Sequence, residues 1–600
     1  MRRTLQNGLY PSFTLSPDPR LFFKGNDNAL VNIKEKNIDL LPGGRISTFT
    51  YFNGLTIHKW KSQLTSEELF FKITIQGKLL IRFQISSLES GTQSVFEKTL
   101  TSKDLQEFSF DLPFWRDHSQ GILFFELYAL KLSRIKNFSY YTEFDSLEPF
   151  KLGIVITHFN RQKQVINAIQ RLKEGLLEDP ETRGRVGLIV VDNSQNLPFL
   201  DGITVIKSAN LGGAGGFTRG LLHLKAHPEF THCLFMDDDA SSEVESIKRT
   251  MVFLEATRKA KLAISGAMLT EKEVYRQYEC GAYFDGKCQS LGKGLNLLYE
   301  HDLLKNEIKR RVEYGAWWFF AFAIQDVEHN AFPYFVRGDD ISFSYSNGFK
   351  ITTLNGIACW QPDFSNKSTP QSVYLDMRNH LMHVLHGFVR GNKYVNMLKS
   401  SLLIYIYYAI SYFYDSAAAV NMAISDVLKG PEFWRDNADM VKKRQQIKAM
   451  IKDEIPVPVP ENTFRQGVMA DIEMQTTVDI VDRGLQITPS TLTRYFTLNG
   501  HLLPLFVFHK GFTWLKKSSG SRMSSSFRYK KVVMLIDGSN EALVLNINKK
   551  RFFQESFRFI YLLGRLFWNT KKLSQIYQKS YSSLTSDAFW IRQYTKDGQK

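Results

Sequence analysis

Three consecutive aspartates, Asp237-Asp238-Asp239, directly follow the apolar run CLFM (233–236), and this junction constrains the fold more than any other segment. Adjacent carboxylates at the end of a buried strand raise one another's pKa, so a cation that shares them relieves the cost. If the strand geometry persists, Asp237 and Asp239 project to the same side. Their hard oxygen ligands favour Mg²⁺ or Mn²⁺, which commonly bridge to phosphates. The alternative is a solvated acidic turn or a helix N-cap near Ser241.

The segments before this junction alternate between strands and helices. Apolar runs at 153–157, 187–193 and 204–206 precede the run at 233–236, and apolar residues at helical spacing separate the first two. This alternation predicts a parallel sheet with ligand groups at the carboxyl ends of its strands. The glycine-rich segment NLGGAGGFTRG (210–220) has neither the P-loop pattern nor the dinucleotide fingerprint, so by itself it indicates only a tight loop.

The regions on either side differ in pattern. Before residue 148 the chain is strand-like, and apolar residues alternating at 71–75 and 79–85 predict a hairpin that turns at Gly77-Lys78. Further short strands predict an all-β sandwich. Beyond residue 392 the pattern becomes helical, with a proline-rich interruption at 455–462.

Two segments of this last region bear on where the protein acts. The most apolar one, 402–413, is shorter than the roughly 18 to 20 residues that span a bilayer, so we expect a buried or interfacial helix. The segment 515–531 is basic and Ser-rich, with interleaved aromatic residues. It is therefore expected to contact an anionic membrane surface.

The composition limits the partners without naming one. The formal net charge is +16, which indicates acidic partners such as a nucleotide, an anionic lipid, an acidic glycan or a nucleic acid. The four cysteines match no zinc motif and no disulfide framework, and the N-terminus lacks the apolar core of a secretory signal. A reducing, cytoplasmic location is expected. The basic residues form no recognisable nucleic-acid-reading motif, so we expect no nucleic-acid partner.

Two further pairs are candidates for chemistry. Asp339-Asp340 opens a predicted helix, where a carboxylate serves either as a cap or as a base that deprotonates a hydroxyl. Trp317-Trp318 lies in the most aromatic segment, where an indole either stacks on a sugar ring or fills the core. If both tryptophans belong to a strand, at most one faces a cleft.

Taken together and in this order, the motifs resemble bacterial galactofuranosyltransferases, which are inverting GT-A enzymes of glycosyltransferase family 2. The resemblance covers about 330 residues and adds further matching segments to the glycine-rich one. These segments are TYFNGLTIHKW (50–60), THFNR (157–161), VVDNS (190–194), LFMDDDA (234–240), GAWWFFAF (315–322), GDDISFS (338–344) and YLDMRNH (374–380).

The resemblance implies a role for each matching residue. The donor, UDP-galactofuranose, would pass its sugar to a hydroxyl of a lipid-linked or polymeric surface glycan, assisted by Mn²⁺ or Mg²⁺. The implied roles are catalytic base for Asp340; contact with UDP for Arg161, Asn193 and Asn210; metal binding for Asp237 and Asp239; and positioning of acceptor or donor sugar for Asp339 and Trp318, with Trp317 beside it.

One position departs from the resemblance. Relatives usually place a His after the tryptophan of the strand that follows the Asp-Asp helix, as a third metal ligand, whereas Gln361 follows Trp360 here. The Gln361 amide oxygen, Asp363, or the acidic cluster with the phosphates alone would then complete the metal site. The nearby His380, His383 and His386 are interpreted as packing or surface residues, since they recur at (i, i+3) on a predicted helix.

The sequence therefore predicts a multidomain α/β protein of three regions: a β-sandwich that binds glycan (1–148), a GT-A catalytic domain with a mixed sheet (149–392), and a mainly helical, basic region (393–600). We expect a glycosyltransferase that is peripheral on the inner face of the cell membrane. Another nucleotide-sugar donor, such as UDP-glucose, UDP-galactopyranose or dTDP-rhamnose, is one alternative. A non-catalytic glycan-binding subunit is the other, and homo-oligomerisation is left open.

Overall fold

The structure is a computed structural model that describes residues 2–16, 18–64, 66–144, 149–257, 259–362, 368–459, 489–517, 525–536 and 539–596. Hydrogen bonding divides its strands into an N-terminal sheet, a central sheet with two smaller sheets beside it, and a C-terminal sheet that lies among helices.

The N-terminal strands belong to one ten-stranded sheet. Its main path runs β2-β5-β9-β7-β10-β4-β3, with β1 on β10, β6 on β9 and β8 on β7. The elements are β1 (Arg2–Asn7), β2 (Lys24–Gly25), β3 (Ala29–Asn32), β4 (Asn37–Leu40), β5 (Arg45–Ser47), β6 (Leu55–Thr56), α1 (Ile57–Lys61), β7 (Phe70–Ser87), β8 (Gly91–Asp111), β9 (Ile122–Ala129) and β10 (Ser133–Glu143). Two different strands, β9 and β10, pair with successive halves of β7.

The predicted hairpin at Gly77-Lys78 is wrong, because β7 runs through both residues as one strand. Odd-numbered residues face the core both before and after Gly77, a parity that a single strand preserves. Gly77 has a φ of 106°, and a Cβ there would lie 2.4 Å from the Leu132 carbonyl oxygen. The glycine therefore allows β10 to approach β7 closely.

The central region follows the predicted alternation of strands and helices. Its elements are β11 (Leu152–His158), α2 (Gln162–Leu172), β12 (Val186–Asp192), β13 (Thr204–Lys207), α3 (Gly212–Lys225), β14 (His232–Asp237), β15 (Ser241–Ser242), α4 (Val244–Ala256), β16 (Leu262–Ser265), β17 (Ala267–Thr270), β18 (Gln277–Glu279), β19 (Ala282–Phe284), β20 (Cys288–Ser290), α5 (Glu300–Asn306), β21 (Phe320–Ala323), α6 (Asp339–Asn347), β22 (Lys350–Thr352), β23 (Ala358–Gln361) and α7 (Pro370–His386).

The largest central sheet is mixed, as expected. Its order is β13-β12-β11-β14-β21-β16-β22, in which β13, β12, β11 and β14 are parallel and β21 is antiparallel to both neighbours. The four predicted strands are confirmed. The continuous apolar runs of β11, β12 and β14 are typical of strands that are buried on both faces.

A smaller sheet, β15-β23-β17-β18, brings a distant part of the chain to the acidic junction. Ser241 of β15 pairs with Trp360 of β23, so Gln361 lies beside the residues that precede Ser241. This pairing joins two segments more than a hundred residues apart in sequence.

The C-terminal region consists mainly of helices but also contains a four-stranded sheet, β24-β27-β26-β25, which the sequence did not predict. Part of the proline-rich segment forms β24, and both ends of 515–531 belong to strands; residues 460–488 and 518–524 lie outside the described residues. The elements are α8 (Lys393–Ala409), α9 (Tyr414–Val427), α10 (Pro431–Asp436), α11 (Val441–Met450), β24 (Pro456–Pro458), α12 (Pro489–Phe496), β25 (His509–Lys516), β26 (Tyr529–Leu535), β27 (Glu541–Asn546), α13 (Lys549–Leu584) and α14 (Asp587–Thr595).

The C-terminal helices pack directly on the central region. The Trp590 indole of α14 donates to the Ala331 carbonyl (2.9 Å), and the Tyr594 hydroxyl donates to the Gly215 carbonyl of α3 (2.7 Å). The last helix therefore supports the glycine-rich start of α3. In the described part of the chain, no helix is both long and apolar enough to span a bilayer.

Candidate active site

A cavity of about 600 Å³ opens beside the end of β14. Its walls come from α3, β14, the turn before β21, the start of α6 and α7. Six of the residues singled out from the sequence contribute to it: Arg161, Asp237, Trp317, Trp318, Asp339 and Asp340. Segments spread over nearly two hundred residues thus meet at one place.

Asp237 and Asp239 converge on Gln361. The Gln361 side-chain nitrogen donates to Asp237 Oδ2 (3.1 Å) and to Asp239 Oδ1 (3.0 Å), which confirms that the two carboxylates project to the same side. The Gln361 side-chain oxygen is buried and has no hydrogen-bond partner. Rotating the amide by half a turn would exchange the two atoms and aim this oxygen at the carboxylates.

Asp238 points the other way and organises the loop after β11. It accepts hydrogen bonds from the Phe159 backbone N–H (3.1 Å) and from Arg161 Nη1 (2.7 Å), and it lies 3.3 Å from His158 Nδ1. Arg161 Nη2 also lies 3.3 Å from Asp239 Oδ2. Arg161 therefore joins the cavity to two carboxylates of the cluster.

Burial and crowding change the acidity of this cluster. Burial, together with the neighbouring Asp239 and Asp238, raises the pKa of Asp237 to about 7, although Gln361 and Arg161 oppose the shift. Near neutral pH, the site therefore stabilises any additional cation that approaches Asp237.

These residues fit a hard divalent cation. No group of three His, Cys, Asp or Glu side chains arranged to hold a metal occurs in the described ranges. The donor set is instead two convergent carboxylates and, after the amide rotation, one buried amide oxygen. Oxygen ligands of this kind suit Mg²⁺ and Mn²⁺. Asp363, the other substitute considered, lies outside the described residues.

Asp339 and Asp340 are the first two residues of α6. They follow Gly338, which has the left-handed conformation (φ 80°). Burial and Asp340 raise the pKa of Asp339 well above its usual range, and Asp237 adds to this shift. Burial raises the pKa of Asp340 to about 6, although its carboxylate accepts the Ile341 backbone N–H (2.8 Å). At neutral pH Asp340 is therefore a carboxylate of increased basicity.

Asn193 and Asn210 lie at the start of α3 and do not line this cavity. Asn210 accepts the Gly212 N–H (3.0 Å), and Asn193 donates to the Gly212 carbonyl (3.4 Å), while the Asn193 side-chain oxygen is buried and unpartnered. Gly212 has a φ of 71°, and a Cβ there would lie 2.0 Å from the Phe335 carbonyl oxygen. The glycine-rich segment therefore lets the start of α3 pack against the backbone just before α6.

Both tryptophans line the cavity, so the expectation that at most one would face a cleft is wrong. They precede β21 in a turn and are not constrained to opposite faces of a strand. Trp317 packs edge-on against Phe217 and Phe343, and the Trp318 indole donates to the Gly266 carbonyl (3.1 Å). Both rings are therefore held largely in the core and contribute only their margins to the cavity.

Glu279 and His380 line the cavity, although Glu279 was given no role from the sequence and His380 was interpreted as a packing or surface residue. Burial raises the pKa of Glu279 to about 8; Ser290 donates to one of its oxygens (2.6 Å), and the other is buried and unpartnered. An isolated Glu within RQYECG carries no motif by which it could be found. His380 also lines the cavity, whereas His383 and His386 lie in the core near the Tyr334 hydroxyl.

Comparisons with known proteins agree with the resemblance. No family model matches the chain. Galactofuranosyltransferase GlfT2 of Mycolicibacterium smegmatis is 23% identical over 436 residues, 66% of each chain. The protein of the same name from Mycobacterium tuberculosis is 22% identical over 64% of this chain and 66% of its own. The aligned region thus spans slightly less than two thirds of either relative.

Two solved structures align more weakly. They are a mannosyltransferase from Pyrobaculum calidifontis with GDP-Man and Mn²⁺ (TM-score 0.27, 12% identity, 51% of this chain and 83% of that one) and GalNAc-T7 with UDP, GalNAc and Mn²⁺ (TM-score 0.31, 11% identity, 41% and 49%). These scores are too low to carry an argument. By sequence, over about two thirds of its length, this chain is similar to galactofuranosyltransferases.

Proposed function

We propose that this protein is an inverting glycosyltransferase that moves galactofuranose from UDP-galactofuranose to a hydroxyl of a lipid-linked or polymeric surface glycan. The observation that carries the proposal is the meeting of Asp237, Arg161 and Asp340 in one cavity. A cation-binding carboxylate, a cationic side chain and a basic carboxylate are the groups that departure of a diphosphate and activation of a hydroxyl require.

The groups at the donor end of the cavity suit the binding of a diphosphate. Arg161 is held at the rim by Asp238, and its guanidinium suits bidentate contact with phosphate oxygens. Asn193 and Asn210 fix the start of α3, whose N-terminus favours negative charge. Asp237, Asp239 and Gln361 would hold Mn²⁺ or Mg²⁺, and the bound ion would neutralise charge that develops on the diphosphate.

The acceptor end contains the proton acceptor. Asp340 takes the proton from the attacking hydroxyl as that oxygen forms its bond to the anomeric carbon and the bond to UDP breaks. A single displacement on the face opposite the leaving group inverts the anomeric configuration. Asp339 and the rims of Trp317 and Trp318 position sugar rings, and Glu279, protonated near neutral pH, is placed to donate a hydrogen bond to them.

The membrane surface is assigned to α8 and α13 rather than to 515–531 alone. Trp568 is 91% exposed and Phe557 71% exposed on α13, and α8 exposes Val395 and Leu403. The α8 sequence has no acidic residue, and Glu555, the acidic residue of α13, is engaged by Asn421. Apolar side chains flanked by basic ones, among them Arg558, Arg565, Lys571 and Lys572, suit an anionic bilayer. The protein would thus be peripheral on the cytoplasmic face.

The test is a donor panel. Purified protein is incubated with glycan acceptor and UDP-galactofuranose, UDP-glucose, UDP-galactopyranose or dTDP-rhamnose, with Mn²⁺ or with EDTA, and nucleotide release and product configuration are measured. Release from UDP-galactofuranose with inversion supports the proposal. Release from another donor alone would overturn the donor assignment, and retention of configuration would overturn the single displacement.

A further inference from the structure

A second, larger cavity of about 930 Å³ lies between the N-terminal and central regions. It is bounded by α1, the segment that follows α5, the carboxyl end of α6 and β22. Six of its lining residues are basic: Lys59, Lys259, Lys309, Arg310, Arg311 and Lys350.

The positive charge of this cavity is largely uncompensated. Its one described lining carboxylate, Glu313, is already paired with Arg311 (2.9 Å) and bonded by the Tyr345 hydroxyl. Lys59 is compensated by Glu307 (3.2 Å), which lies outside the lining. Within the described ranges, Lys309 and Lys350 have no ion-pair partner.

Two other basic residues contact neutral acceptors. Lys259 donates to the Ser62 carbonyl (2.7 Å), and Arg310 donates to the Lys305 carbonyl (3.1 Å). A carbonyl orients a cationic group without cancelling its charge. The cavity therefore combines fixed cations with exposed ones and is suited to several anionic oxygens.

Helix α6 connects this cavity to the candidate active site. Asp339 and Asp340 at its start line the first cavity, whereas Ser344 and Tyr345 line the second. At a rise of about 1.5 Å per residue, Asp340 and Ser344 are separated by about 6 Å along the helix axis. Successive turns of one helix therefore border the two cavities, a separation shorter than a glycan of a few sugar residues.

We propose that this cavity binds an anionic group, phosphate or carboxylate, carried by the acceptor glycan away from its reacting end. The inference rests on the proposed glycosyl transfer. A nucleic acid fits less well, because Phe349 of the lining is buried and Tyr345 is engaged with Glu313, so neither offers a free face for base stacking.

The test measures binding without donor or metal, in EDTA at low ionic strength. The probes are hexameric oligogalacturonate, inorganic pyrophosphate, neutral maltohexaose and single-stranded DNA. The altered proteins are Lys309→Glu/Lys350→Glu and the milder Lys309→Ala/Lys350→Ala. A control with the same change in charge, Lys103→Glu/Lys131→Glu, alters exposed lysines of the N-terminal sheet.

Oligogalacturonate or pyrophosphate is expected to bind, whereas neutral maltohexaose is not. The charge reversal Lys309→Glu/Lys350→Glu is expected to weaken binding of the anionic probe about tenfold or more, whereas the control Lys103→Glu/Lys131→Glu is expected to leave it unchanged. The stronger of the two anionic probes identifies carboxylate or phosphate as the group. Equal binding by reversal and control proteins, or tighter binding of DNA than of either probe, would overturn the inference. UDP release by the unaltered enzyme tests the proposed function separately, because anion binding here requires no turnover.

Discussion

The side-chain nitrogen of Gln361 lies 3.1 Å from a carboxylate oxygen of Asp237, although the two residues are 124 positions apart in the chain. The contact depends on the pairing of β15 with β23, which places the end of one sheet against the end of another. It gives Gln361 a defined place at the candidate metal site, at the position where the resemblance implies a histidine.

Replacing Gln361 tests this placement. Gln361→Ala removes the amide oxygen available to an oxygen-seeking cation, so we expect Mn²⁺ affinity to fall about tenfold, and Gln361→His to bind Mn²⁺ at least as tightly as the unaltered protein. Calorimetric titration with Mn²⁺ in the presence of UDP measures both. Gln325→His on the surface is the control. Equal affinity in Gln361→Ala and the unaltered protein would place the metal elsewhere.

Replacing Asp340 tests the base. Asp340→Asn keeps the shape of the side chain but removes its proton-accepting charge, so the transfer rate should fall by about 10² to 10⁴ while UDP binding persists. Initial rates and fluorescence titration of UDP separate the two effects. Turnover at the unaltered rate would remove Asp340 from this role.

The pH dependence follows from the same residue. Because burial raises the pKa of Asp340 to about 6, its carboxylate becomes protonated as the pH falls through that value, and transfer should be lost with it. Profiles of kcat/KM between pH 5 and 8, with UDP and Mn²⁺ binding followed over the same range, measure the acidic limb. A profile that stays flat down to pH 5, as a limb near the ordinary Asp value of about 3.9 would leave it, would show that Asp340 does not act in this environment.

Gly212 tests the close packing at the start of α3. Gly212→Ala introduces both left-handed strain and a Cβ 2.0 Å from the Phe335 carbonyl oxygen, whereas Gly202→Ala introduces the strain alone, since no atom lies within 4 Å of that Cβ. We expect losses in the free energy of unfolding of about 3 kcal/mol and about 1 kcal/mol, respectively. Urea unfolding measures both, and equal losses would argue against the close packing.

Replacing exposed aromatic residues of α13 tests the assignment of α8 and α13 as the membrane-binding surface. Phe557→Ser/Trp568→Ser should weaken binding to phosphatidylglycerol vesicles several-fold by removing two exposed aromatic side chains. Phe13→Ser/Phe199→Ser removes two aromatic side chains that are 74% and 90% exposed in other regions, and it should bind normally. Vesicle sedimentation measures both proteins, with light scattering to detect self-association. Equal binding by the two altered proteins would contradict the assignment.

The sequence predicted the elements whose signals are local. The parallel strands were predictable because each is a continuous apolar run, and Asp339-Asp340 because a helix follows directly. The continuity of β7 through Gly77 was not predicted, because a glycine between two alternating runs suggests a turn, although the unbroken parity of those runs is typical of one strand.

The features that were not predicted depend on contacts between segments that are distant in the sequence. Gln361 meets Asp237 only through a sheet contact, and Glu279 becomes a buried acid only when α6 and β20 close around it. The four-stranded C-terminal sheet joins β24 to three strands that begin only at His509, and no periodic pattern signals such an arrangement.

The most direct test of the central claim is the rate of UDP formation from UDP-galactofuranose by the purified protein with glycan acceptor and Mn²⁺. The account predicts acceptor-dependent UDP release that is lost in Asp237→Asn and in EDTA. Glycan binding without UDP release from any UDP-sugar would contradict it and identify the protein as a glycan-binding subunit.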